Sequence, residues 1–448
     1  MKKLVSILMA AAMTTTILAG CSGGADNTAP ASSAAGGEGT TAASSGSSTE
    51  LKIAMWGDEA RANAYKETLA PFCEANNCTV TIDLIPISDY FDKLASQLSA
   101  GTAPDVFWLA DAKEATFIQG GWCVNLRDKL ESDPEYDLAD FYTDAINSTD
   151  YGDGGIYGVP FSFGARAIFY NKTLFEEAGV KTPQECVDDG TWTYETMFDL
   201  AAQIKEYDAT KTGVKLWCVG QATNGIQNFA DILLAYGANL VNADSTEFIL
   251  DTPEGIAVTK MVYDAMYGTG AHAKPGDDTA FLSGNIAMAR ETYSYMTSMA
   301  KGNVEFEWDV VPQPYGSLGK DGKLYTGYAY WCANASSKNS DLAAELVKFI
   351  SNKDNYLEWC STFMSPRTSI MESEKIINLG EGYPSPEHVK ASFVDCVGER
   401  GLFAYRGTSQ WTLLTTTVQQ NYEMIWAGAT SIEDGIAQMK AAVEEYLN

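Results

Sequence analysis

From Leu51 onward the chain repeats one cadence: a short apolar run, a break rich in Gly, Asp or Pro, then an apolar stripe at helical spacing. Leu51-Lys52-Ile53-Ala54-Met55-Trp56 reads as a first strand, ended by Gly57-Asp58-Glu59 before a helix that begins near Ala60. A second strand runs from Thr79 to Ile85, and Tyr90, Phe91, Leu94 and Leu98 then mark the core face of a helix. After Gly101-Thr102-Ala103-Pro104, the stretch Asp105-Val106-Phe107-Trp108-Leu109-Ala110-Asp111-Ala112 reads as a buried strand that stops at a carboxylate. Strand, helix, strand in this order predicts parallel crossovers. Ligands of open parallel sheets sit beyond the carboxyl ends of the strands, which makes Trp56, Asp58, Glu59, Trp108 and Asp111 candidate binding residues.

Further along, Asp153-Gly154-Gly155 between apolar segments predicts a hairpin turn; it lacks the alternating oxygen ligands and distal Glu of a calcium loop. Phe161-Ser162-Phe163-Gly164 is no nucleophile elbow, because Pro160 stands where the first Gly belongs. Thr193 is placed to cap a helix whose apolar face is Met197, Leu200, Ala201 and Ile204. Trp217 to Asn228 reads as a strand followed by a polar loop, offering Gln221, Asn224 and Gln227 as neutral hydrogen-bonders. Alternation along a strand puts Tyr328 and Tyr330 on one face and assigns Trp331, on the other, to the core. Asp341 to Ser351 is an amphipathic helix, and long helices follow Trp411, whose ring is expected to project from a helix start after the polar Gly407-Thr408-Ser409-Gln410.

Composition narrows the picture. At 448 residues, 46% of them hydrophobic, the chain exceeds one ordinary core and implies two lobes. Lys and Arg number 30 against 59 Asp and Glu, and a formal charge of −29 repels nucleic acid over most of the surface. His272 and His388 lack second ligands at metal spacing, so neither a metal site nor histidine-based catalysis is expected, and no cofactor is implied.

The N-terminus supplies an address. Lys2-Lys3, the apolar run Leu4 to Leu18 and the quartet Leu18-Ala19-Gly20-Cys21 look like a bacterial lipoprotein signal over residues 1–20, with Cys21 as the lipidated, acylated terminus of the mature chain. Residues 21–49 are dominated by Gly, Ala, Ser and Thr and read as a disordered tether spanning on the order of 30 Å. The protein is thus expected to be exported and held by its lipid on the extracellular face of the cell membrane. Setting Cys21 aside from nine cysteines leaves eight; Cys73 and Cys78 are close enough in sequence for a disulfide or two thiols, and Cys123, Cys218, Cys332 and Cys360, each after a Trp, suit buried thiols or bridges.

Several of these stretches, in this order, resemble the extracellular solute-binding proteins of sugar ABC importers, the maltose-binding-protein-like family. The opening run Gly101 to Ala112 is one. The segment YGVPFSFGARAIFYNKTLFEEAGV, Tyr157 to Val180, is similar to the family's crossing from N-terminal to C-terminal lobe. Thr191-Trp192, Ala280 to Met288, Trp308 to Pro314, Gly327 to Asn334 and Ser365-Pro366-Arg367 continue the likeness, whereas Gln184 to Gly190 is longer and more polar than the family's Pro-rich turn.

That resemblance implies an α/β, two-lobed periplasmic-binding-protein-like fold of class II, with a ligand cleft between lobes joined by hinge crossings. The N-terminal lobe would comprise 50–162 plus 326–366 and the C-terminal lobe 163–325 plus 367–448. It implies no catalytic residue, a carbohydrate ligand, ABC permease subunits as partners and a monomer. It adds Glu291, Tyr293 and Tyr295 as ligand contacts after their strand, keeps Tyr328 and Tyr330, and makes Trp411 the C-terminal aromatic that stacks on sugar. Two alternatives stay open. Arg166, Arg290 and Arg367, near the crossings, either pair internally or admit a charged solute. A surface carbohydrate-active enzyme would instead use paired carboxylates such as Asp58 with Asp111, or Glu291.

Overall fold

The structure, a computed structural model, describes residues 48–110, 113–216, 226–277, 279–360 and 363–447. The strands are β1 (Thr49–Met55), β2 (Cys78–Leu84), β3 (Val106–Ala110), β4 (Val159–Phe163), β5 (Arg166–Asn171), β6 (Thr212–Lys215), β7 (Ile286–Thr292), β8 (Trp308–Val311), β9 (Leu324–Tyr325), β10 (Tyr328–Ala333) and β11 (Leu402–Phe403). They form two mixed sheets, β2-β1-β3-β10-β4 and β6-β7-β5-β8, and a two-stranded ribbon β11-β9.

The parallel crossover predicted at the start is present. β1 pairs parallel with β2 in register Leu51 to Val80, and with β3 on its other side. Asp58 ends β1's excursion by capping the helix Glu59–Ala75, its carboxylate accepting the Arg61 N–H at 2.8 Å. β10 then lies antiparallel between β3 and β4, so a strand from far downstream becomes the fourth member of the first sheet. Thr193 caps the helix Tyr194–Tyr207 as the spacing predicts, its hydroxyl accepting from the Thr196 N–H. Helices Ser340–Ile350, Trp411–Trp426 and Ile432–Val443 match the amphipathic stretches. The strand expected from Trp217 lies outside the described residues.

One local expectation fails. No strand precedes Asp153-Gly154-Gly155, which belongs to a loop between the short helix Thr143–Ile146 and β4. Asp150 Oδ1 accepts the N–H groups of Gly152 and Gly154 at 2.8 and 2.9 Å, and Asp153 Oδ1 that of Gly155 at 2.9 Å. These side-chain caps satisfy the backbone locally, so the segment needs no partner strand.

Two links carry the chain between the sheets, one from β4 to β5 and one from β8 by way of β9 to β10, and the segment around Met364 lies beside the first. The link Gly164-Ala165 between β4 and β5 bonds to the return segment, Gly164 N–H donating to the Gly327 carbonyl at 3.0 Å, while Phe163 N–H donates to the Met364 carbonyl at 3.2 Å. The three arginines near these crossings are spent internally. Arg367 is completely buried; it donates to the carbonyls of Tyr136 and Ser351 at 3.0 and 3.1 Å, stacks 4.1 Å over the Phe141 ring and lies 3.5 Å from Asp140. Burial alone would raise the Asp140 pKa, but hydrogen bonds from Ser369 and Thr368 and the charge of Arg367 hold it below the ordinary carboxylate range. Arg290 forms a buried pair with Asp231 at 2.9 Å, whose second oxygen accepts the Tyr325 N–H at 2.7 Å. Arg166 donates to the Tyr325 carbonyl at 3.2 Å and sits over its ring.

Two apolar clusters fill the body. Trp108, Trp331, Tyr65 and Phe161 pack ring against ring behind the first sheet, Trp108 to Trp331 at 5.2 Å. Trp331 is therefore core, as its alternation predicts. The described cysteines are free thiols, Cys73 and Cys78 among them, so no bridge closes that pair; burial and a hydrogen bond with Cys73 push the Cys78 thiol up to about 11. Among the described residues, no helix is long and apolar enough to cross a membrane and no three His, Cys, Asp or Glu side chains group as metal ligands.

His272 belongs to the second cluster's polar lining. Its Nε2 faces the Leu216 N–H at 3.3 Å and its Nδ1 the Ala273 carbonyl at 2.6 Å, the pattern of a neutral ring. Burial lowers its pKa from 6.5 to about 4. The unfolded chain binds this proton near 6.5 and the folded chain near 4. Between these values the unfolded state holds more protons, so this contribution makes stability fall as pH drops through that window and leaves it flat above. Urea unfolding at pH 7 and pH 5 should show a midpoint loss that is smaller in His272→Gln; equal losses in both proteins would contradict the assignment.

Candidate functional site

A cavity of about 310 Å³ opens where β10, the segment 143–148 and the segment 402–406 converge. Its floor is set by strand alternation: Tyr328 and Tyr330 project on one face of β10 with ring centroids 6.2 Å apart. Gly158 lets the chain pass close beneath them, since a Cβ there would lie 3.0 Å from the Tyr330 Cβ and 2.9 Å from the Cys332 Sγ. Tyr330 donates to the Ser148 hydroxyl at 3.0 Å. The Tyr328 hydroxyl is buried, 2% of the residue being exposed, and has no hydrogen-bond partner among the described residues. Burial, with the nearby Asp144 charge, raises its pKa far above the ordinary phenol, so it is a neutral donor in search of an acceptor.

Opposite the floor runs the segment Leu402 to Arg406, tied to β9 by the pairs Leu402 with Leu324 and Phe403 with Tyr325. Charges of both signs ring the cavity. Lys323 Nζ lies 3.5 Å from Asp144, joining the C-terminal wall to the helix Thr143–Ile146. Arg406 lies 3.5 Å from Asp244 and 6.0 Å above the Tyr151 ring, and Tyr151 donates to the buried Glu114 at 3.2 Å. Lys113 Nζ donates to Thr412 Oγ1 at 2.8 Å, a further bond between the end of the β3 region and the helix Trp411–Trp426.

Of the residues predicted from sequence, the structure brings Tyr328 and Tyr330 into this cavity. Trp56, Asp58 and Glu59 do lie after β1, but Asp58 is engaged as a helix cap, Glu59 is solvent-exposed in the first helical turn and Trp56 packs edge-on against Tyr90 and Trp108. Trp108 itself is 0% exposed, because β3 is flanked by strands on both sides and its ring turns into the aromatic cluster; it is not a crevice residue. Glu291, Tyr293 and Tyr295 are buried around the end of β7, Tyr293 donating to the Ile376 carbonyl at 2.8 Å and Tyr295 packing on Phe169, and none lines the cavity. Trp411 is 3% exposed and its ring lies 5.3 Å from that of Tyr405, so it backs a wall residue and does not project. Asp111, Gln221, Asn224 and Cys21 lie outside the described residues.

Missed in the sequence were Glu114, Asp144, Lys323 and the whole wall Leu402 to Arg406. Asp144 and Lys323 carry no pattern, being single charges in an acidic chain. The run Leu402-Phe403-Ala404-Tyr405-Arg406 did carry a signal, two rings and a cation in a short stretch without helical period.

Comparison with known proteins agrees with the topology. A profile of the family described as "Bacterial extracellular solute-binding protein" matches residues 67–381. The galactooligosaccharide-binding protein of Bacillus subtilis (strain 168) is 26% identical over 321 residues, covering 69% of this chain and 70% of its own. The sugar-binding protein MalE from Xanthomonas citri superposes with a TM-score of 0.71 at 21% identity, over 89% of this chain and 97% of that one. The cyclic alpha-maltosyl-1,6-maltose binding protein from Arthrobacter globiformis gives 0.74 at 20% identity, over 89% and 99%. These similarities establish the α/β periplasmic-binding-protein-like fold with its two mixed sheets.

The burial of Trp411 yields a measurable distinction. Trp411→Ala should cost roughly 3–5 kcal/mol of folding stability through the cavity it leaves. Denaturant unfolding checks this; an unchanged midpoint would mean that the ring is not part of the core.

Proposed function

The chain belongs to the bacterial extracellular solute-binding proteins, which bind and do not turn over their solutes, and from that premise we propose that it captures a carbohydrate in the Tyr328–Tyr330 cavity for an ABC importer. The observation that carries this reading is the pair of tyrosine rings at the cavity floor, one with a buried hydroxyl that has no partner among the described residues. Rings supply the apolar face that a sugar's C–H groups need, and an unsatisfied phenol supplies a donor for a sugar oxygen. Asn147, Ser148 and Asp144 add the neutral and carboxylate hydrogen-bonders that fix orientation. The names of the similar proteins point the same way, to galactooligosaccharides in one case and cyclic maltosyl-maltose in another.

The internal engagement of Arg166, Arg290 and Arg367 weakens the charged-solute alternative, because no arginine of the crossings is left to meet an anion. The adjacent links β4 to β5 and β9 to β10, with the segment around Met364 beside them, suit rotation of one sheet-centred lobe against the other, 50–162 plus 326–366 moving relative to 163–325 plus 367–448. Closure then shifts the population toward the shape that a permease recognises. The proposal includes attachment: Cys21 carries the lipid, the tether spaces the body from the membrane, and the protein works on the extracellular face.

Purified protein incubated with saccharides should form a stoichiometric complex with unchanged sugar and show a raised melting temperature, since ligand at 100 times its Kd adds about 2.7 kcal/mol to stability. Tyr328→Phe should weaken that complex roughly fivefold through loss of about 1 kcal/mol of hydrogen bonding. Bond cleavage with turnover, or full affinity without the hydroxyl, would refute this account of the site.

Attachment has its own measurement. Cys21→Ala should leave the folded body intact and move it from the membrane to the soluble fraction; equal membrane association of both forms would exclude a lipid anchor at this residue.

A further inference from the structure

An ion pair stands at each end of the cavity's C-terminal wall. Lys323, whose Nζ comes within 3.9 Å of where a Cβ on Gly401 would lie, marks one end of the extended stretch and pairs with Asp144 across the opening. Arg406 marks the other end, pairing with Asp244 and covering the Tyr151 ring. Five residue steps separate Gly401 from Arg406, a span of at most about 18 Å even when fully extended. The cavity volume of about 310 Å³ falls at the small end of the range of roughly 300–1,000 Å³ for ligand sites. Both cations of the wall are already matched by carboxylates, and Glu114 adds a further buried acid, so nothing in the lining calls for an anionic ligand.

Resting on the reading that this cavity takes a carbohydrate, we propose that the ligand is a short, uncharged saccharide, one or two rings long, and that Arg406 is the end-stop that sets this length. A longer chain would have to pass the guanidinium, displacing it from both Asp244 and the face of Tyr151. The Arg406 side chain is partly exposed, 38% accessible, so its truncation opens the end without hollowing a core.

Titration calorimetry with mono-, di-, tri- and tetrasaccharides of glucose and of galactose, on the full-length protein and on Arg406→Ala, tests the assignment. The natural protein should bind a mono- or disaccharide at least about tenfold more tightly than the tetrasaccharide, and Arg406→Ala should shrink that ratio at least about threefold. Arg406→Gln, which keeps much of the bulk, should fall between them, and thermal melts confirm that each variant is folded. Tighter binding of the tetrasaccharide by the natural protein, an unchanged ratio in Arg406→Ala, or preference for a glucuronate or sugar phosphate over the neutral sugar each overturns the proposal. Should no saccharide of any length bind either protein, the carbohydrate reading itself falls, a result distinct from a preference for long chains.

Discussion

The two sheets depend on the hydrogen bonding of the two links that cross between them and of the segment around Met364 beside them. Because β10 is inserted between β3 and β4, the first sheet cannot be completed until residues 328–333 have returned from the second, and each crossing must find its neighbours in a narrow strip. Gly164 against Gly327 and Phe163 against Met364 supply the backbone bonds. Buried arginines supply the anchors. Arg367 gathers carbonyls from Tyr136, Asp137 and Ser351, while Asp231 connects Arg290 to the start of the return segment. A buried cation of this kind is costly to desolvate, and removing one of its partners is what such sites cannot absorb. The arginines therefore fix where the crossings lie and contribute little that a ligand could feel.

The cavity inherits its character from the same constraint. Its floor is the edge of β10 that the crossing delivers, and its far wall is an irregular stretch held by two residues of ribbon pairing. A wall so lightly tied can differ between proteins of one fold without disturbing either core, which is where specificity within a shared architecture is expected to reside. Ion pairs around the opening are partly exposed and individually weak. They stand at the rim of the opening.

Aromatic residues divide between two jobs that strand ends alone do not distinguish. Trp108 and Tyr330 lie one register position apart in adjacent strands, Trp108 opposing Trp331 and Tyr330 opposing Leu109, yet one is locked among rings and the other faces the cavity. The difference is which side of the sheet each occupies: Tyr65 of the helix Glu59–Ala75 and Phe363 pack against Trp108, and Trp359 stacks on Tyr65 behind them. Trp411 shows the same outcome in the second cluster, where Tyr405 stands between it and the opening.

Sequence by itself determined the local elements and their order. Apolar runs marked β1 and β3, helical spacing marked the helix after Pro86, Thr193 announced a cap, and alternation put Tyr328 and Tyr330 on one face and Trp331 in the core, because each of these depends on neighbours within a turn or a pleat. The order of those words also carried the family, since a fold is a sequence of elements before it is a shape. Only the tertiary structure decided which strand-end aromatics are buried, that Arg166, Arg290 and Arg367 are consumed internally, and that Asp144, Lys323 and Arg406 meet around one opening. Those outcomes are set by contacts between residues tens to hundreds of positions apart, and no periodicity records them: a charge or a ring has the same local signature whether the chain returns to cover it or leaves it open.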